Sequence, residues 1–130
     1  MLNRALILIA EDEPFIALDL ALAIEDVGGT VVGPAATVEE ALALIDGQTV
    51  EAAILDVNLG AQDISPVAEI LLTLNIPVIL QTGVEAPPEL VARFPDLIVH
   101  IKPCVAANLV AQLVTLVANR PSALLPDPHR

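Results

Sequence analysis

Tryptophan and tyrosine are absent from this 130-residue chain, and only two phenylalanines, Phe15 and Phe94, supply aromatic rings. An aromatic core is therefore excluded. With 55% hydrophobic residues, the core must be built from Leu, Ile, Val and Ala. Cysteine is nearly absent as well: the lone Cys104 allows no internal disulfide and fits a reducing compartment. Basic residues are scarce, with 5 Lys and Arg against 17 Asp and Glu and a net charge of −12. That balance argues against nucleic-acid binding, which needs a basic face, and against adsorption to anionic membranes. No run approaches the roughly 18 apolar residues of a membrane span; the stretch from Ile70 to Leu80 is broken by Asn75 and Pro77. Arg4 and the apolar run Ala5 to Ala10 are too short for a signal peptide. Glu11-Asp12-Glu13 follows directly, with no small-residue cleavage site. The expectation is a soluble, cytoplasmic protein with one domain and one core.

What is present is a series of apolar runs, each ending in polar residues. Ala52-Ala53-Ile54-Leu55 runs straight into Asp56, and Val57-Asn58-Leu59-Gly60 follows. Such a run reads as a buried central strand with Asp56 at its carboxyl end. The same pattern predicts strands over 5–10, 30–34, 77–81 and 97–101. Pro14 opens a first helix, with Ile16, Leu20, Ala23, Ile24 and Val27 on one stripe and Gly28-Gly29 as its stop. Thr37-Val38-Glu39-Glu40 is a capping box for a second helix. Its apolar face is Ala41, Leu42, Leu44 and Ile45, and Gly47 ends it. Ser65 as N-cap and Pro66 as first helical residue open a third, facing inward through Val67, Ile70, Leu71 and Leu74. A short fourth helix lies between Pro87-Pro88 and Phe94-Pro95, and a fifth covers about 105–119. The residues from 120 to 130, with Pro121, Pro126 and Pro128, read as an irregular tail. Five β–α units in a row predict an α/β, doubly wound five-stranded parallel sheet of flavodoxin-like strand order 2-1-3-4-5.

In such sheets, ligands bind at the carboxyl ends of the strands. The first strand ends in Glu11-Asp12, the third in Asp56, the fourth in Thr82 and the fifth in Lys102, the only lysine. Singly, each has an ordinary explanation: acids near a helix N-terminus, a strand-end hydroxyl, a Lys-Pro turn. Together they describe a chemistry. Carboxylates held close repel one another unless a cation intervenes. A hard ion such as Mg2+ takes carboxylates, waters and phosphate oxygens. Lys102 adds a fixed positive charge suited to a phosphoryl group, Thr82 a hydroxyl that can bond one of its oxygens, and Asp56 a nucleophile.

With Glu11-Asp12, Leu55-Asp56-Val57-Asn58, Thr82-Gly83 and Lys102-Pro103 in place, the chain resembles the receiver domain of two-component response regulators, the CheY-like family, over about 4–119. The resemblance implies that Asp56 is the phospho-acceptor and that Asp12, Asp56 and the Asn58 carbonyl bind Mg2+. Glu11 would act mostly through water, Thr82 as the switch hydroxyl, and Lys102 on the phosphoryl group. It implies a phosphohistidine donor on a kinase or phosphotransfer protein. Leu80-Gln81-Thr82-Gly83-Val84 is similar to the Phe-Ala-Thr-Gly-Tyr segment of a stand-alone receiver group. Two positions depart from the family: Val99 stands where Tyr or Phe is frequent, and Cys104 where Phe often follows Lys-Pro.

The expected function is a phosphorylation switch that is not an enzyme, has no output domain of its own and acts through an unknown downstream protein. A phosphate sink or phosphorelay intermediate is an alternative on the same chemistry. An Mg2+-dependent phosphatase with an Asp nucleophile needs a second Asp where Asn58 stands. A flavin module needs a phosphate loop where Glu11-Asp12-Glu13 stands. Two surfaces are expected to be exposed. Leu18 and Leu22 lie off the core stripe of the first helix, suited to a kinase contact. On the fifth helix, Val110, Val114 and Val117 are expected to face the sheet. Leu109, Leu113 and Leu116 would then form a flank covered by Leu124 and Leu125, by a second copy in a homodimer, or by an output protein that docks when Asp56 is phosphorylated.

Overall fold

The computed structural model describes residues 2–119. The expected tail, with Leu124 and Leu125, lies outside the described residues. The elements are β1 (Leu6–Ala10), α1 (Pro14–Asp26), β2 (Thr30–Ala35), α2 (Val38–Gly47) and β3 (Ala52–Asp56). Then follow β4 (Asn58–Leu59), β5 (Gln62–Asp63), α3 (Ser65–Thr73), β6 (Val78–Thr82), α4 (Pro88–Arg93), β7 (Ile98–Ile101) and α5 (Ala106–Ala118). Five strands form one parallel sheet in the order β2-β1-β3-β6-β7, which is the predicted 2-1-3-4-5 order. The two-residue strands β4 and β5 pair antiparallel as a small separate hairpin, which the sequence reading did not foresee.

The central strands β1, β3 and β6 read as near-continuous apolar runs because both faces of the sheet are covered there. Side chains alternate across it. Ile7, Ile9, Ile54 and Ile79 meet Leu20 and Ile24 of α1 and Leu109, Val110 and Leu113 of α5. Leu8, Ala10, Leu55 and Leu80 meet Ala41 of α2, Val67 and Leu71 of α3 and Leu90 of α4. Neither set of fully buried side chains includes an aromatic ring, as the composition required.

Helix ends follow local chemistry. Pro14 begins α1, and Glu13 caps it by accepting from Phe15 N. The helix closes with Gly28 N donating to the Glu25 carbonyl and Gly29 N to that of Ile24, a Schellman motif. Gly28, at φ 86, takes its left-handed position. The Thr37 hydroxyl accepts from Glu40 N as expected, but Glu40 reaches back to Ala36 N rather than to Thr37 N.

Three expectations are corrected. Ser65 is already helical and caps nothing. Ile64 holds the cap position, and the Asp63 carboxylate accepts from Ser65 N at 2.7 Å. A carboxylate two residues upstream supplies the acceptor that the Ser hydroxyl was assigned. On α3, Val67, Ala68 and Leu71 point inward, while Ile70 and Leu74 are exposed. On α5, Leu109 and Leu113 are buried against the sheet with Val110, whereas Val114, Leu116 and Val117 are partly buried. Gln112 lies with its Oε1 2.5 Å from His100 Nε2 on β7, so this polar side of the helix meets the sheet edge while Leu109 and Leu113 face inward. Two leucines of the flank that suggested a homodimer through this helix, Leu109 and Leu113, are therefore part of the core, and Leu116 is partly buried.

Candidate functional site

The carboxyl ends of β1, β3, β6 and β7 lie side by side, so each strand delivers its last residues to one edge. Glu11 leaves β1 and is 2% exposed; Asp56 ends β3 and is 6% exposed. Lys102 follows β7 and reaches across. Its Nζ donates to Asp56 Oδ2 at 2.8 Å and to Glu11 Oε1 at 3.2 Å. Asp12 is exposed beside them. Carboxylate oxygens of Glu11, Asp12 and Asp56 all lie within 4.8 Å of one another. Three hard oxygen donors so close, two of them buried, suit a divalent cation of the Mg2+ class.

Electrostatics follow from this crowding. Burial pushes the Glu11 carboxyl up to about 7; neighbouring Asp56 adds to the rise, and the Glu13 N–H and Lys102 oppose it. Burial pulls the Lys102 ammonium down. Its hydrogen bond to Asp56 and the negative charges of Glu11 and Asp56 outweigh that effect and raise its pKa above the ordinary lysine value. The ammonium therefore stays charged beside Asp56.

The supporting contacts come from backbone. Asn58 N donates to Asp56 Oδ1 at 3.4 Å, and the Asn58 side chain is exposed. Gly60 N donates to Asp12 Oδ2 at 2.8 Å from the turn of the β4–β5 hairpin. Gly60, in the two-residue turn with Ala61, has φ 61, a conformation that L side chains rarely adopt. Gln62 anchors the same hairpin to α2: its Oε1 accepts from Val38 N, and its Nε2 donates to both Glu39 oxygens. Thr82 is buried at the end of β6, and its hydroxyl accepts from Val84 N at 3.2 Å.

The six residues singled out from sequence thus gather at one edge, with Glu11, Asp56 and Lys102 in direct contact. Thr82 is beside them with its hydroxyl turned to backbone. The sequence reading passed over Gln81, which is buried and donates from Nε2 to Glu11 Oε1 at 2.9 Å. The signal was there: a carboxamide ending an apolar run. Val99 is partly buried against the α2–α4 side of the core, and Cys104 Sγ donates to the Ile101 carbonyl.

No protein-family model matches the sequence. Over 80 residues the chain is 39% identical to the phyllosphere-induced regulator PhyR of Methylorubrum extorquens, a match covering 59% of this chain and 30% of that protein. The chain thus spans about a third of the curated relative it matches. The crystal structure of a response regulator receiver protein from Sinorhizobium medicae superposes with a TM-score of 0.77 at 25% identity, covering 93% of this chain and 100% of that one. SdrG from Sphingomonas melonis is 38% identical, with a TM-score of 0.71 over 91% of this chain and 99% of its own. The chain belongs to the response-regulator receiver family. As a receiver, it has the family's five-stranded parallel sheet and the acidic group of Glu11, Asp12 and Asp56 at its strand ends. Among the described residues, no helix is long and apolar enough to cross a membrane.

Proposed function

We propose that this receiver is a phosphorylation switch in which Asp56 accepts a phosphoryl group from a phosphohistidine on a kinase or phosphotransfer protein. The observation that carries the reading is the 2.8 Å contact of Lys102 Nζ with Asp56 Oδ2 beside clustered acidic oxygens. An Asp56 oxygen attacks phosphorus, and the bond from phosphorus to the imidazole nitrogen breaks. The imidazole leaves with the electron pair and takes up a proton; an acyl phosphate remains on Asp56. Lys102 meets the phosphoryl oxygens as a fixed point charge. Asp12, Asp56 and the Asn58 carbonyl would hold Mg2+ with Glu11 acting through water; the ion supplies charge neutralisation for the group in transfer. The Thr82 hydroxyl exchanges its Val84 contact for a phosphoryl oxygen and so frees the loop after β6. In this reading residues 1–119 form the receiver unit, which works in the cytoplasm and signals by changed protein–protein contacts, not by turnover of a small molecule.

The test is phosphorylation with Mg2+ and acetyl phosphate, followed by intact mass. Wild type gains one base-labile phosphoryl group, Asp56→Asn gains none, and Asp12→Asn gains it slowly. Lys102→Ala accepts the group without the structural response that beryllium fluoride produces in wild type. An Asp56→Asn protein labelled at the wild-type rate would show that the acceptor lies elsewhere.

A further inference from the structure

We propose that Gln81 is a positioning residue of the Asp56 centre, holding the Glu11 carboxylate in place by its Nε2–H. The proposal rests on the reading above, in which Glu11 serves the metal through water. Gln81 is 1% exposed, on a strand whose other residues before Thr82 are apolar. Burying a carboxamide is costly unless it is hydrogen-bonded. Its Nε2 donates to Glu11 Oε1 at 2.9 Å, and that same oxygen takes Lys102 Nζ at 3.2 Å. The other oxygen, Oε2, accepts from Glu13 N at 3.2 Å. The backbone carbonyl of Gln81 accepts from Val57 N at 3.0 Å, directly after Asp56. Gln81 therefore ties the end of β1 to that of β3 and immediately precedes Thr82.

The two donors on Glu11 Oε1 differ in what else they serve. Lys102 divides its ammonium between Glu11 and Asp56. A phosphoryl group on Asp56 draws Lys102 toward itself and weakens its hold on Glu11. Among the described residues the Gln81 amide donates to Glu11 alone. It keeps Glu11 oriented in both states. Partners that orient a metal-site carboxylate in this way set metal affinity without touching the metal.

The experiment is a double-mutant cycle on Mg2+ affinity, read by calorimetry on protein without phosphate. Gln81→Met keeps the length of the side chain and removes its donor. We expect it to weaken Mg2+ binding about tenfold, the low end for a partner of a ligand, and to change affinity by less than about twofold when Glu11→Gln is already present. A Gln81→Met protein with wild-type affinity overturns the proposal. So does a loss that persists in full on the Glu11→Gln background, because Gln81 would then act by another route. If Gln81→Met fails to fold by circular dichroism, Gln81→Ala repeats the cycle; failure of both to fold assigns Gln81 a structural role and also overturns it. A wild type that neither binds Mg2+ nor takes phosphate from acetyl phosphate refutes the proposed function. Failure confined to the Gln81 variants refutes only this inference.

Discussion

Lys102 Nζ stands 2.8 Å from Asp56 Oδ2 and 3.2 Å from Glu11 Oε1, so one ammonium serves two buried carboxylates. One positive charge does not offset two negative ones in a place that water barely reaches. The imbalance falls on Glu11, whose burial lifts its carboxyl to about 7 while Lys102 stays charged. The edge is therefore strained toward taking up positive charge, whether a proton or a divalent cation.

A pH dependence of stability follows from that imbalance. Glu11 has a pKa of about 7 when folded against an ordinary value of 4.5. Above pH 7 it is ionised in both states, and the folded protein bears the full cost of burying the charge. Between 7 and 4.5 the folded state holds a proton that the unfolded state has released, so stability from this group rises as pH falls. Below 4.5 both states are protonated and the gain is complete. The linkage amounts to at most about 3 kcal/mol. Urea denaturation in EDTA at pH 8, 6.5 and 5 measures it as wild type minus Glu11→Gln. The variant is expected to be the more stable at pH 8 and to lose that advantage by pH 5. A difference that does not vary with pH would contradict the assignment to Glu11.

Helix α1 offers the other legible surface. Leu18 and Leu22 are 53% and 55% exposed, as their places off the stripe of Leu20 and Ile24 required, and Phe15 at 78% extends the patch. All three lie on the helix that starts directly after Glu11 and Asp12. In a protein of net charge −12, an apolar patch on the helix that follows Glu11 and Asp12 would, under the proposed function, suit docking of the donor protein. Leu18→Glu is expected to lower phosphotransfer from a phosphorylated kinase at least about tenfold, as an anchor residue does, and to leave labelling by acetyl phosphate unchanged. Equal loss with both donors would place the damage in the acceptor edge instead of the docking surface.

Strand ends were readable because the buried central strands are apolar runs closed by polar residues, Asp56 and Thr82, and Lys102 stands out as the chain's one lysine after the apolar stretch of β7. Gln81 obeyed the same rule and was passed over because Thr82 beside it carried the family motif. Nothing in its letter says that its amide reaches back to β1. Helix α5 failed for a different reason. With no charge from Val105 to Asn119, its polar side is marked only by Asn, Gln and Thr. Which apolar row faces inward depends on contacts from outside the helix, and His100 on β7 meets Gln112. The β4–β5 hairpin has four paired residues, too few for any alternation to register.

That hairpin carries the last prediction. Gly60 combines two requirements: φ 61, which an L side chain adopts only with strain, and an N–H aimed at Asp12 Oδ2 at 2.8 Å. A Cβ on Gly60 would stand 3.9 Å from that oxygen, ordinary contact, so space is not the obstacle. Gly60→Ala therefore probes conformation alone. Its cost to folding is about 1–2 kcal/mol, the penalty for the left-handed region. If the turn relaxes to relieve that strain, the N–H leaves Asp12, which is otherwise exposed to water. Mg2+ affinity is then expected to fall several-fold, as for loss of a partner that orients a ligand, while Asp56 keeps its contacts to Lys102 and Asn58 N. Urea denaturation and metal titration on the same preparation separate the two effects. A variant that loses stability with unchanged affinity would mean the hairpin serves the fold without positioning Asp12.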